Sequence, residues 1–176
     1  MLMGLGVVGS QHGSAPLTTL QDTTPVARLI EEPAIIVVTR DSPYRELGDL
    51  ISAWRDTPEA VPVGGGSAVG GPDHLAPMLL ADAVGIPPAE VSYRRYDGGG
   101  DLLAAVLGGQ VAFGVSGLSE YADQIASGQL RVLAVTSERR IAGVAAPTLR
   151  ERGVEVVFTN WRGIVAPPGL SDRDAT

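Results

Sequence analysis

The 176-residue sequence contains no cysteine. That excludes a disulfide framework, a thiol nucleophile and a thiolate metal site. It contains no lysine either, so all 13 of its cations are arginine. Schiff-base chemistry and a P-loop lysine are therefore excluded as well. Histidine occurs only at His12 and His74, and no His/Asp/Glu grouping has metal-site spacing. Twenty acids against 13 arginines leave a net charge of −7, which does not suit nucleic acid, a partner that needs a basic face. No apolar run reaches the roughly 18–20 residues of a membrane span. Met1–Ser10 lacks the basic start of a secretory signal and reads instead as a buried strand or helix end. The expectation is a soluble chain with no nucleic-acid partner, no membrane insertion, no metal and no cofactor.

What is present is a 44% hydrophobic share with 23 Gly and 13 Pro, enough apolar material for a core and ample turn chemistry. The continuous run Ala34–Thr39 predicts a strand buried on both faces. Leu47, Leu50, Ile51 and Trp54 follow at helical spacing, and Pro58 closes that helix. Short strands are expected at 61–63, 91–93, 111–115, 130–135 and 154–158. Helices are expected at 72–84, 102–107, 118–125 and 147–152. Pro77 should kink the first of these or delay its start. Ser119 is a candidate N-cap for the third, and Gly108 or Gly109, Gly128 and Gly153 are candidate stops. Strand–helix alternation of this kind predicts an α/β fold with a mostly parallel sheet. Residues 1–33 read as loop-rich and Pro/Thr-rich, with no clear strand–helix unit of their own. Residues 167–176 end where a helix would begin, at Ser171 or Asp172.

Three strand-to-helix junctions share one chemistry: Gly64–Asp73, Asp97–Asp101 and Ser116–Ser119. In a parallel sheet these lie on one edge, at the carboxyl ends of the strands. Helix N-termini there offer backbone N–H groups and the positive end of the dipole. Gly and Ser allow close approach to that backbone, so an anion can be held without a cationic side chain. Enzyme motifs fail at the same places. Val69 stands where G-x-G-x-x-G needs its third glycine, and Pro72 follows Gly70-Gly71 where a Walker motif needs lysine. Val69 and Leu118 break a nucleophile elbow around Ser67 and Ser116. Asp73 and His74 are adjacent on a helix and point apart, so they do not form a relay with Ser67. Arg94-Arg95 and Arg139-Arg140 read as solvated charges. Trp54 reads as core. Trp161 leaves a strand among polar residues and reads as cleft-lining.

At these junctions the sequence resembles a known family. Gly64-Gly65-Gly66-Ser67-Ala68-Val69-Gly70-Gly71-Pro72-Asp73-His74-Leu75 is similar to the glycine-serine-His-Leu loop of the tripartite tricarboxylate transporter substrate-binding proteins (TctC-like, or Bug receptors). Asp97–Asp101, Leu107–Val111, Ala126–Thr136, Pro147–Leu149 and Trp161–Gly163 agree in order, as do Thr24–Leu29 and Asp41–Tyr44. The series runs over about residues 20–170.

The resemblance implies a type II periplasmic-binding-protein fold, in which two α/β lobes close on a small carboxylate and deliver it to membrane transporter subunits. It implies a periplasmic or extracytoplasmic location, although the chain as given shows no signal peptide. The ligand contacts so expected are Gly65, Gly66, Ser67, Ala68, Gly98, Gly99, Ser116, Gly117 and Trp161, with His74 buttressing the first loop and no catalytic residue. Residues 1–37 would be a remnant of lobe one and the first crossing strand. Residues 38–160 would be lobe two, essentially complete, and 161–176 a truncated return crossing. Residues 1–33 lack the family's Pro-Gly-Gly loop, so an internal piece is expected, binding weakly and exposing surface that lobe one would cover. Two alternatives stay open: a small α/β hydrolase-like enzyme using Ser67 and His74, and a truncated remnant without binding activity.

Overall fold

A computed structural model describes residues 2–12 and 19–169. Its spine is β2 (Thr24–Thr39), a strand of 16 residues. The first half of β2 pairs antiparallel with β7 (Thr159–Ala166), ending with Pro33 opposite Thr159. β7 also holds β1 (Leu2–Gly4), which leads into α1 (Leu5–His12). From Ala34 onward β2 changes partners. It lies between β5 (Phe113–Gly117) and β6 (Leu130–Val135), antiparallel to both. β3 (Val63–Gly65) then joins β5 to β4 (Tyr93–Arg95) in parallel.

The α/β class is as expected, but the mostly parallel sheet needs correction. β3, β4, β5 and β6 do run in one sense. β2 is inserted among them in the opposite sense, so every pairing it makes is antiparallel. Strand–helix alternation reports the order of elements. It does not report where an earlier strand slots into the sheet.

Burial explains the long apolar run. Ala34, Ile36 and Val38 face α2 (Leu47–Asp56) and α3 (Pro72–Ala83), packing with Leu47, Leu50, Trp54 and Leu80. Ile35 and Val37 face the other way, onto Leu102 and Val106 of α4 (Gly99–Leu107) and onto Tyr121. Trp54 is core, meeting Phe113 edge-on at 5.0 Å between ring centres. α4 sits close on the sheet because Gly64 and Gly114 are in register beneath it. A Cβ at Gly64 would stand 2.6 Å from Leu102, and one at Gly114 2.8 Å from Val106.

Several element boundaries move. The strands expected at 61–63, 91–93 and 111–115 lie two residues later, which brings Ser116 and Gly117 inside β5. A shift of two preserves the buried face, so the apolar pattern does not distinguish the registers. α3 is continuous through Pro77, with neither a break nor a late start. Residues 118–125 begin as a 3-10 turn, Leu118–Tyr121, before α5 (Ala122–Ala126). The expected helix 147–152 is only a 3-10 turn, Arg150–Arg152, closed by Gly153 at φ +77°. Val154, Val156 and Phe158 reach the core from a segment outside the strands, and β7 starts at Thr159. At the start of the chain, where a strand or helix end is expected, stand β1 and α1, and the rest of the loop-rich stretch up to residue 33 holds the first half of β2, whose residues are mostly exposed and lack strict alternation. The helix start expected at Ser171 or Asp172 lies outside the described residues.

Thr136 ties the crossing segments together where β2 changes partners. It is 2% exposed. Its hydroxyl accepts the Ala34 N–H at 2.8 Å and donates to the Phe158 carbonyl at 2.7 Å. Its own backbone N–H bonds Ala34 O, and its carbonyl accepts Phe158 N–H, both at 2.9 Å. Thr136→Val keeps the shape but strands a buried donor and a buried acceptor, and is expected to destabilise the fold by about 1–3 kcal/mol. Thr136→Ser keeps the hydroxyl and should lose less. Urea unfolding of the two variants beside the parent chain checks both.

Candidate functional site

β3, β4 and β5 are parallel, so their carboxyl ends share one edge. Three connections meet there: 66–71 leading into α3, 96–98 leading into α4, and the turn after β5. The first two are in backbone contact. Gly98 donates its N–H to Gly66 O at 3.1 Å, and Tyr96 N–H bonds Gly65 O at 2.9 Å. Both glycines are required by this approach. Gly98 has φ +88°, where L side chains are strained, and a Cβ on Gly66 would stand 2.8 Å from the Gly98 carbonyl carbon.

Side chains fix the first loop from inside. Ser67 Oγ accepts the Asp73 N–H at 3.0 Å and so caps the first turn of α3 from outside the helix. Tyr93 donates its hydroxyl to Ser67 O at 2.8 Å. His74 Nδ1 accepts the Gly70 N–H at 3.3 Å, and its ring stands edge-on to Tyr93 at 4.8 Å. Partial burial lowers the His74 pKa, which favours the neutral ring that can accept this bond. Ala68, at the exposed turn, accepts Gly71 N–H through its carbonyl at 2.8 Å.

The second and third connections are joined through residues after β5. Tyr121 donates its hydroxyl to Gly99 O at 3.0 Å. Ser116, fully buried, donates to Glu120 Oε2 at 2.8 Å. That carboxylate lies against Gly99, where a Cβ would collide with it. Glu32 arrives from β2. Its Oε1 accepts the Ser119 N–H at 3.1 Å and the Ser119 hydroxyl at 2.6 Å, and its carboxylate lies against Gly117. Ser119, expected to cap a helix, is thus inside the turn and is itself bound by a distant carboxylate.

Asp73 completes the edge. Burial pushes its carboxyl up to about 6, and the negative charge of Glu120 adds to the rise. The Gly66 N–H and the Arg162 guanidinium pull the other way, and Glu32 raises it further. Burial also pushes the neighbouring Tyr93 hydroxyl up to about 12.

The fold therefore gathers Gly65, Gly66, Ser67, Ala68, His74, Gly98, Gly99, Ser116 and Gly117 on one edge. Trp161 stands elsewhere. It lines an open groove of about 880 Å³ with Val26, Ala27 and Ile164, to which none of those loop residues contributes. Sequence reasoning set Asp73 at the end of the first junction without giving it a role, and missed the carboxylates Glu120 and Glu32 as parts of the edge. An acid just inside a helix start after a Gly/Ser loop is a usable local signal for Asp73. Nothing local announces Glu32, which is 87 residues from Ser119. The bonds of Ser67 Oγ and His74 Nδ1 run to backbone N–H groups of their own loop and turn, not to each other. Of the paired arginines, Arg94 donates to Gln110 O and Arg140 pairs with Glu151, all at exposed positions. Among the described residues no cluster of His, Asp and Glu is arranged to hold a metal, and no helix is long and apolar enough to cross a membrane.

Residues 10–174 match the family described as Tripartite tricarboxylate transporter family receptor, TctC. Protein BugT of Bordetella pertussis is 30% identical over 162 residues, which is 91% of this chain and 48% of BugT. A UPF0065 protein from the gbd 5' region of Cupriavidus necator is 31% identical over 139 residues, 78% of this chain and 41% of that protein. The chain thus spans about half the length, or less, of the curated relatives it matches. A crystal structure of a TctC solute binding protein from Polaromonas superposes with a TM-score of 0.79 at 25% identity, covering 99% of this chain and 59% of that one. An R. palustris protein with adipate superposes at 0.76 with 27% identity, covering 99% and 58%.

Tyr93→Phe removes the bond to Ser67 O and is expected to cost about 0.5–1.5 kcal/mol. Amide hydrogen exchange at Gly70 and Asp73 should accelerate more than in the β2 core. Uniform acceleration across the chain would show that Tyr93 does not hold this loop in particular.

Proposed function

The chain belongs to the tripartite tricarboxylate transporter receptor family, and on that premise we propose that it is the carboxylate-holding part of an extracytoplasmic solute receptor. Its ligand is a small di- or tricarboxylate. Its partner is a tripartite tricarboxylate-type membrane transporter, to which the receptor delivers that ligand. The division into a first crossing (1–37), a ligand lobe (38–160) and a return crossing (161–176) belongs to the same proposal. The change of partners along β2 at Ala34 supports it.

The observation that carries the reading is the backbone contact between the Gly66 and Gly98 loops at the starts of α3 and α4. Two helix N-termini converge there and bring positive dipole potential, α4 with the N–H groups of its first turn, while those of α3 are already bonded to Ser67 Oγ and Gly71 O. Ser67 and Ser116 bring hydroxyls to the same edge. An anion bound in this way is recognised by main chain, which accounts for a carboxylate site in a sequence without lysine. The adipate in the R. palustris relative supports the ligand class.

Titration of the chain with adipate, malate and citrate, followed by amide NMR, tests the proposal. Shifts are expected at Gly66, Gly98, Gly99 and Ser116. Gly66→Ala forces the two loops apart and should weaken binding by at least about tenfold, or about 1.4 kcal/mol. Absence of loop shifts with every carboxylate, up to high millimolar concentration, would reject it.

A further inference from the structure

The edge that faces the ligand already carries carboxylates of its own. The Gly66 N–H favours the charged form of Asp73, but burial and the nearby Glu120 charge outweigh it and raise its carboxyl. Glu120 holds the Ser116 hydroxyl at 2.8 Å and covers Gly99, the first residue of α4. Glu32 holds Ser119 and covers Gly117. These are donors and small residues that an incoming carboxylate would use. A dianionic ligand arriving here meets negative charge at short range in a partly desolvated place, which disfavours the charged form of Asp73 still further.

The groups around Asp73 differ in what they can do about this. Glu120, on the turn after β5, and Glu32, on β2, are held by hydroxyl and amide donors. Tyr93, on β4, and Tyr121, beside Glu120, already donate to Ser67 O and Gly99 O, and burial keeps both hydroxyls protonated far above neutrality. His74, next in sequence, is engaged as a neutral acceptor. Arg162, on β7, supplies positive charge but donates to Asn160 Oδ1 and Trp161 O. Asp73 is the group placed to respond. It stands in the first turn of α3, over the Gly66 N–H, beside both other acids, and its carboxyl already titrates near neutrality at about 6.

We propose that the site takes its carboxylate together with a proton from solvent, which resides on Asp73, so that capture strengthens in acid and weakens above neutrality. Protonation releases the Gly66 N–H to the ligand and turns Asp73 from a competing anion into a donor toward the ligand's oxygen. The inference rests on the carboxylate-receptor reading and adds its regulation. The sign follows from linkage. A second anion raises the Asp73 pKa further, so the complex binds more protons than the free protein, and apparent affinity falls as pH rises.

Calorimetry with adipate between about pH 6.5 and 8.5 tests this, because the probe's own carboxyls stay ionised there. Affinity should fall by up to about tenfold per pH unit in the upper part of that range, the limit for one linked proton. The binding heat should differ between phosphate and Tris buffers by the amount set by proton uptake. Asp73→Asn, checked for folding by urea unfolding, should bind with flat pH dependence and no buffer-dependent heat. In the parent chain, the carbon-13 titration midpoint of the Asp73 carboxyl should move upward when adipate is added. Binding that is independent of pH and buffer overturns the proton coupling and leaves the receptor reading intact. A slope that survives in Asp73→Asn overturns the assignment to Asp73. Failure to bind at any pH removes both readings.

Discussion

The hydrogen-bonding of Thr136 governs how this chain is assembled. β2 is one continuous strand, but it belongs to two sets of neighbours, and the change comes between Pro33 and Ala34. At such a point the ladder cannot satisfy every backbone group, and a buried orphan is costly. Thr136 supplies the missing partners, reaching Ala34 on β2 and Phe158 ahead of β7 from the end of β6. With β2 held in this way, β5 and β6 flank it, β3 and β4 follow in parallel, and three strand ends are brought to one edge. The same register lets Glu32, just before the change, reach Ser119.

The edge itself balances opposing requirements. Glycine-bearing loops and helix starts attract anions, yet the chain has placed its own acids against them. Glu120 and Glu32 occupy the Ser116 and Ser119 donors, and the Asp73 carboxyl stands in reach of the Gly66 N–H. If the edge holds a carboxylate as proposed, this internal competition limits how tightly it can hold. On the proposed reading as a carboxylate receptor, the arrangement lets a chain with net charge −7 take acidic ligands. In that reading, local dipoles and protonation act over a few ångströms, and net charge is felt only at longer range and through screening.

Much of the fold and of the edge is legible in the amino-acid sequence. The buried run 34–38, the helix face Leu47/Leu50/Trp54 and the glycines at helix ends each depend on residues close together in the chain. Local sterics and periodic burial are sufficient to specify them. The small offset of β3, β4 and β5 is not legible, because a shift of two residues leaves the same side chains buried. The first half of β2 escapes notice because, being exposed, it carries no burial pattern.

Composition and local pattern by themselves determined the class of fold and a Gly/Ser edge suited to an anion without lysine, and the ordered segments carried the family resemblance. Only the tertiary structure decided that β2 runs against its neighbours, that Trp161 lines a separate groove, and that Glu32 and Glu120 stand over the glycines. These features depend on contacts between distant residues, such as the 87-residue reach from Glu32 to Ser119. Pairings of that range are set by how whole elements pack, and no spacing in the sequence encodes them.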